Sequence, residues 1–263
     1  MNSDRTKEIL EYLHTHNRAT VREMCQIFQV SDMTIRRSLQ ALEARQLITR
    51  FHGGAMLNAP KTQDDEFHLR MSLNPQLKVR LAQGCCQYLQ KQIKENQCSS
   101  VFIASGSTMV NFAKTLTLPP QVTAITDNLY VSQALLTNGV SNIITIGGQV
   151  LLPSANAVGF LAEQMISAFT PDLAFVSAPA VDHNGAVYVY NLFEANVYQA
   201  VIRVARHIVL SIDHTKFHQR NLVQLYNLDD RFTLFTTKGA PENVLDQLRI
   251  RGVDVQVDRK SVV

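Results

Sequence analysis

From residue 100 onward, short apolar runs alternate with helical patterns, and this alternation constrains the fold more than any other feature of the chain. The runs at 100–104, 122–126, 142–146, 173–177, 208–212, 232–235 and 253–257 are rich in Val, Ile, Leu and Phe and too short for buried helices. Helical stretches fall between them at 108–116, 129–136, 157–169, 194–206 and 241–251. A long helix precedes the series, with Leu77, Leu81, Cys85 and Leu89 on one face, and Asn184-Gly185 marks a hairpin. Strands separated by helices are joined by crossovers, which make neighbouring strands parallel and cover both sheet faces. The expected fold class is therefore α/β.

The first fifty-seven residues have a different rhythm. Helices are expected at 4–15, 20–28 and 32–45. Ile9, Leu10 and Leu13 face inward from the first. Val21, Met24, Cys25 and Phe28 form an i, i+3, i+4, i+7 stripe on the second, and Ile35, Leu39 and Leu42 face inward from the third. Ser31 follows a tight connection and is suited to cap the third helix, because its hydroxyl can accept an orphan backbone N–H. A β-forming run at 47–51, a turn at 52–54 and a return strand at 55–57 complete the segment. Residues 58–73 are polar, with Pro60, Asp64, Asp65 and Glu66, and read as a linker. The expected domains are thus 1–57 and 74–263.

Composition narrows the functional classes. Hydrophobic residues make up 46% and charged residues 18% of the 263, too apolar for a disordered chain. No run of about 18 apolar residues occurs, and the N-terminus lacks the apolar core of a signal peptide, so a cytoplasmic protein without membrane contact is expected. Cys25, Cys85, Cys86 and Cys98 form no CxxC pair and no zinc-like spacing with histidine, so neither a metal nor a disulfide framework is expected. Cys25 and Cys85 fall on apolar stripes and read as core.

The net charge of +3 says little, but four arginines against one glutamate lie within 34–52. Two helices, a short turn and a third helix bearing arginines suggest a helix-turn-helix. With Ile35, Leu39 and Leu42 inward, Met33, Arg37 and Gln40 lie opposite, with Thr34 and Arg36 on the flanks. Guanidinium groups there suit phosphates or guanine, and Gln40 suits adenine. Arg50, His52 and Gly53 would sit beside this helix, facing the DNA backbone. A plain helical bundle with a solvated arginine face satisfies the same pattern.

The combination is more specific. Val30-Ser31, Thr34-Ile35-Arg36-Arg37 and Arg50-Phe51-His52-Gly53-Gly54-Ala55 closely resemble the winged helix-turn-helix of the DeoR family of bacterial transcriptional regulators. Ser38 stands where that family usually has Asp. The resemblance implies double-stranded operator DNA as a partner.

In the second part, the run 100–104 leads into Ser105-Gly106-Ser107-Thr108 and then a helix. Backbone N–H groups and hydroxyls converge at such a turn, where the helix dipole favours an anion. The turn is neither a Walker loop nor GxGxxG, and no cofactor is expected. It reads equally as a capped turn. Asp127-Asn128 and Gly147-Gly148 follow later strands, at the edge where α/β ligands bind, and Lys216 follows the run 208–212.

These segments are similar to the DeoR-family effector domain, whose fold resembles ribose-5-phosphate isomerase. The family's Gly-Ser/Thr-Thr turn is matched by Gly106-Ser107-Thr108, and its Thr-Asn-x-Leu by Thr126-Asp127-Asn128-Leu129. Its Gly-Gly is Gly147-Gly148, its Glu-Ala is Glu194-Ala195, and its Asp-x-x-Lys-Phe is Asp213, Lys216 and Phe217. Ala104 stands where Asp commonly precedes the turn, Tyr198 where Lys is usual, and Ser177-Ala178-Pro179-Ala180 where a glycine-rich stretch is usual. The resemblance implies an oligomeric repressor of carbohydrate genes, dimer or tetramer, relieved by a phosphorylated sugar held by Ser105–Thr108, Asp127, Asn128, Gly147, Gly148, Glu194 and Lys216. The alternative is an aldose–ketose isomerase with an accessory DNA-binding domain, using Asp127, Asp182 or Glu194 as base.

Overall fold

Thr20 turns the chain from strand to helix near the N-terminus, and the first unit is organised around that corner. In the computed structural model, which describes residues 2–44, 47–57, 70–71 and 73–258, the chain divides into Met1–Pro75 and Gln76–Val263. The expected linker at 58–73 falls mostly outside the described residues.

The first unit runs α1 (Asn2–His16), β1 (Arg18–Thr20), α2 (Val21–Phe28), α3 (Asp32–Ala44), β2 (Ile48–Phe51) and β3 (Gly54–Leu57). Strand β1 was not expected from the sequence, because three residues carry no readable period. Thr20 caps α2 rather than opening it. Its hydroxyl accepts from the Glu23 N–H, and the Glu23 carboxylate accepts from the Thr20 N–H at 2.7 Å. The antiparallel sheet has the order β1-β3-β2, with Thr20 and Phe51 both paired to Gly54. Ile9, Leu13, Met24, Ile35, Leu39, Leu42 and Ile48 close the core beneath it.

The second unit is a seven-stranded parallel sheet of order β6-β5-β4-β9-β12-β14-β15. Its strands are β4 (Ser100–Ile103), β5 (Thr123–Thr126), β6 (Ile143–Thr145), β9 (Leu173–Val176), β12 (His207–Ser211), β14 (Phe232–Thr237) and β15 (Asp254–Asp258). The helices are α4 (Pro75–Lys94), α5 (Ser107–Thr115), α6 (Leu129–Thr137), α7 (Phe160–Ser167), α8 (Leu192–Val204) and α9 (Glu242–Ile250). All four residues of β9 are buried, as a strand covered on both faces requires. Strand order reverses between β4 and β9, the topological switch point of the sheet. Five short strands complete the antiparallel pieces. The pair β7 (Gln149–Leu151) and β8 (Asn156–Val158) forms a hairpin, and β10 (Ala180–Val181) and β11 (Ala186–Val189) join β13 (Val223–Asn227). Strands β7, β8 and β13 were not expected. The helix expected from residue 157 begins at Phe160, because Ala157 and Val158 pair with Val150 and Gln149.

One carboxylate pins the amino ends of β4 and β9. Asp172 Oδ2 accepts from the backbone N–H groups of Ser99 (2.9 Å) and Ser100 (3.1 Å) and from both hydroxyls. Burial pushes this carboxyl up, but those donors outweigh it and hold it below its ordinary range. Burial also pushes the Cys85 thiol up to about 12 and Cys98 to about 11, which opposes thiolate chemistry.

Gly54 sits where the sheet of the first unit leaves no room for a side chain. A Cβ there would lie 2.5 Å from the Ala19 carbonyl oxygen and from the Phe51 ring. Gly54→Ala should therefore cost about 1–3 kcal/mol, the usual range for overpacking. It should lower the unfolding midpoint of the first unit in chemical denaturation followed by circular dichroism. An unchanged midpoint would show that β1 and β3 separate freely.

Candidate functional site

Helix α3 presents a polar face because its apolar residues are spent on the core. Ile35, Ser38, Leu39 and Leu42 are buried. Ser31, Met33, Arg36, Arg37 and Gln40 are exposed, Thr34 is half-buried, and Met33 is 75% exposed. Ser31 caps the helix as expected, accepting from the Thr34 N–H at 3.4 Å, and its hydroxyl lies 2.9 Å from Thr34 Oγ1. Two of the arginines are held by carboxylates. Arg36 pairs with Asp32 one turn back, donating from Nε and Nη2 to the two carboxylate oxygens. Arg50 on β2 reaches Glu43 at 3.4 Å, which links strand and helix. Arg37 has no ion pair among the described residues. His52 and Gly53 form the exposed tip between β2 and β3, and the Gly53 carbonyl accepts from the Val21 N–H at 2.8 Å. That bond fixes the tip relative to α2.

The second cluster lies at the carboxyl edge of the parallel sheet. After β4 the chain passes through buried Ser105 to Gly106, which begins α5 at φ 120 with no side-chain cap. A side chain at Gly106 would be strained, and its Cβ would lie 3.4 Å from Ser177 Cβ at the end of β9. The first N–H groups of α5 therefore open at the switch point without a capping oxygen. Ser107 is half-buried and Thr108 buried. The Tyr198 hydroxyl, from α8, donates to the Ser105 carbonyl at 3.2 Å and lies 3.4 Å from Ser105 Oγ.

After β5 come two buried polar residues with opposite circumstances. Asn128 is fully engaged. Its Oδ1 caps α6 at Val131, and its Nδ2 donates to the Ser154 carbonyl (2.6 Å) and Asn156 Oδ1 (2.7 Å). Asp127 is 2% exposed, and its Oδ1 has no hydrogen-bond partner among the described residues. Burial, and then the negative charge of Glu194, push its carboxyl up to about 7 against the pull of backbone N–H groups at Asp127 and Ser105. Glu194, in the first turn of α8, receives a 3.5 Å contact from Asn156 Nδ2.

Asn128, Asn156 and Glu194 are thus linked in one chain of contacts and Ser105 and Tyr198 in another, with Asp127 following β5 beside the β4 turn. Gly147 and Gly148 sit two strands from β4, after edge strand β6, and both are exposed. A Cβ on Gly148 would meet the Val158 carbonyl at 2.8 Å, so that glycine allows close approach of β8. Lys216 lies on a 3-10 turn (His214–Lys216) after β12, two strands away on the other side, where Asp213 caps the turn. Asp182, one of the candidate bases, has both carboxylate oxygens occupied by donors. Its oxygens accept from Asn184, Ala186, Tyr188 and Arg220 at 2.9–3.1 Å within the β10–β11 hairpin. Burial pushes it up, yet these donors hold it below the usual carboxylate range. Asn156 and the hydroxyl role of Tyr198 were missed from the sequence. A polar residue inside the apolar run around 155–158 was the available signal for Asn156.

Comparison with known proteins identifies the family of each unit. A model described as the DeoR-like helix-turn-helix domain matches residues 5–61, and one described as the DeoR C terminal sensor domain matches 75–238. The chain is 26% identical to the glycerol-3-phosphate regulon repressor of Escherichia coli, over 97% of this chain and 98% of that protein. It is 32% identical to the lactose phosphotransferase system repressor of Lactococcus lactis, over 81% of this chain and 82% of the other. Among solved structures, ribose 5-phosphate isomerase from Plasmodium falciparum aligns with 54% of this chain and 52% of its own, at 12% identity and a TM-score of 0.35. No helix among the described residues is long and apolar enough to cross a membrane.

The state of Asp127 has a pH signature. Its folded value of about 7 lies above the ordinary 3.8, so the folded chain holds this proton more tightly than the unfolded one. That contribution is fully present below the ordinary value, declines as pH rises between the two, and vanishes above the folded value. The wild-type midpoint minus that of Asp127→Asn should therefore fall with pH across this window in thermal unfolding of the full chain. Parallel curves would show that Asp127 titrates as a solvated carboxyl.

Proposed function

The chain belongs to the DeoR family and is a DNA-binding transcriptional regulator, and from that premise we propose that it represses carbohydrate-metabolism genes until a phosphorylated sugar binds its second domain. Residues 1–57 then form the DNA head, 58–73 the linker and 74–263 the sensor. The observation that carries the sensor half is the uncapped start of α5 at the switch point, beside a buried polar cluster. Backbone N–H groups and the helix dipole favour an anion there.

In this reading α3 enters the major groove. Arg37 and Gln40 face base edges beside Ser31, Met33, Thr34 and Arg36, while Arg50, His52 and Gly53 lie along the backbone. The arginines held by Asp32 and Glu43 exchange carboxylate for phosphate on binding, which costs little for exposed pairs. On the sensor side, Ser105–Thr108 receive the phosphate, Asp127 and Glu194 the sugar, and Asn128 holds the edge in shape. Gly147-Gly148 and Lys216 flank the site. Sugar binding shifts the population toward an arrangement that fits the operator less well, which requires a differential affinity of roughly 1–3 kcal/mol. The protein acts as a regulator rather than an isomerase, inside the cell, with no cofactor.

A homodimer or homotetramer suits paired half-sites. It is supported by Phe160 (75% exposed) and Leu161 on α7, with Leu192 and Phe193 on α8, apolar side chains at the starts of two helices that pack together.

Three measurements test the proposal. With a duplex from the chain's own promoter region, Arg37→Ala should weaken binding and lower the salt slope by about one. Unchanged affinity and slope would remove Arg37 from the interface. Phosphorylated sugars should release the wild-type protein from this duplex, and Lys216→Ala should bind DNA normally but need more sugar. Failure of every phosphorylated sugar to release it would overturn the sensor reading. Phe160→Asp should lower the mass seen in sedimentation equilibrium.

A further inference from the structure

We infer that the effector carries a protonated amine as well as its phosphate, an amino sugar phosphate, with Asp127 as the counter-charge to the amine. This rests on the reading of the Ser105–Thr108 turn as the phosphate site and specifies what the rest of the ligand must be.

Three observations converge. Asp127 is almost wholly buried and has one oxygen with no partner. Buried polar atoms in native structures are nearly always satisfied, so an orphan oxygen beside a candidate ligand site marks a group waiting for a donor. The second observation is the sign of its surroundings. The charged group acting on Asp127 is another carboxylate, Glu194, and no cation is among the groups that shift it. The third is position. Asp127 follows β5, which pairs in register with β4, so the carboxyl lies at the same sheet edge as the turn that starts α5.

The alternatives differ in what they leave unpaired. A sugar hydroxyl can donate to Asp127 Oδ1, but it brings no positive charge to favour the ionised carboxylate beside Glu194. A second anionic group on the ligand would be repelled by both carboxylates. An ammonium group donates the missing hydrogen bond and cancels charge in one contact. The chain does not supply that cation from the facing helix. Glu194 and Tyr198 are four residues apart on one face of α8, and Tyr198 brings a neutral hydroxyl to the Ser105 carbonyl. A ligand with an anion for α5 and a cation for Asp127 matches both halves of the site. The competing way to satisfy Asp127 is a bound proton, which would make the site prefer neutral sugars.

The test uses the full chain and calorimetric titration. Glucosamine, galactosamine and mannosamine 6-phosphates are each compared with the N-acetylated and the hydroxyl counterpart. At least one amine should bind about tenfold tighter than its hydroxyl counterpart, the size expected of a desolvated charge pair. Asp127→Asn should erase that preference while still requiring the phosphate. Its folding is checked by thermal unfolding, and Glu194→Gln should weaken the preference independently. Hydroxyl sugars binding as well as or better than amines would overturn the inference and leave the phosphate sensor standing. A preference that survives in Asp127→Asn would place the amine elsewhere and also overturn it. No binding by any of the nine compounds would count against both the inference and the phosphate site.

Discussion

Strand β4 is hydrogen-bonded to β5 on one edge and to β9 on the other, and the sensor half of this protein depends on that double pairing. Right-handed crossovers leave the two sides of β4 in opposite directions, so the turns after β4 and β9 part and open a crevice at the carboxyl edge. Asp172 secures the opposite end, where four donors from Ser99 and Ser100 hold β4 against the start of β9. With the amino ends pinned, the carboxyl ends keep a constant separation. Gly106 then begins the helix after β4 at a positive φ that a side chain would strain. The crevice is a consequence of sheet topology, and the residues lining it inherit their positions from the register.

The DNA-binding half is built on a different economy. A small core of aliphatic side chains supports three helices, and a three-stranded sheet closes one end. Its exposed ion pairs contribute little stability in water. They nonetheless order the side chains that matter. Arg36 is drawn back along α3 by Asp32, and Arg50 is tied across to Glu43. Arg37 is left to project from the centre of the face. The tip at His52-Gly53 is held by a backbone bond to Val21, so its placement follows from β1 and the Thr20 cap.

Legibility in the sequence followed the reach of each interaction. The long helices and buried parallel strands were readable because a period of 3.6 or a continuous apolar run is written locally. Strands β1 and β13 were not, since three to five residues pair only with partners far along the chain, and β7 and β8, though they pair as a local hairpin, have three residues each and no readable period. The same holds at the site. Ser105–Thr108, Asp127, Asn128 and Glu194 were visible as polar residues at the ends of strands or the start of a helix. Their division of labour was invisible, because Asn128 and Asp127 are neighbours in sequence and differ only in what surrounds them. Asn156 belongs to the cluster through a strand with no readable signal of its own.

The sequence by itself determined the class of protein: the order of elements, the split between a small helical head and an α/β body, and the motif residues by which the family is known. Those features are set by nearest-neighbour patterns, which a chain carries whether folded or not. Tertiary structure decided which of the polar residues are spent on the fold and which are left available. Asn128 has its amide engaged at both ends, Asp182 its carboxylate surrounded by donors, and Asp127 keeps one buried oxygen open. Burial and the absence of a partner are properties of three-dimensional surroundings, and only the packed sheet edge could assign them.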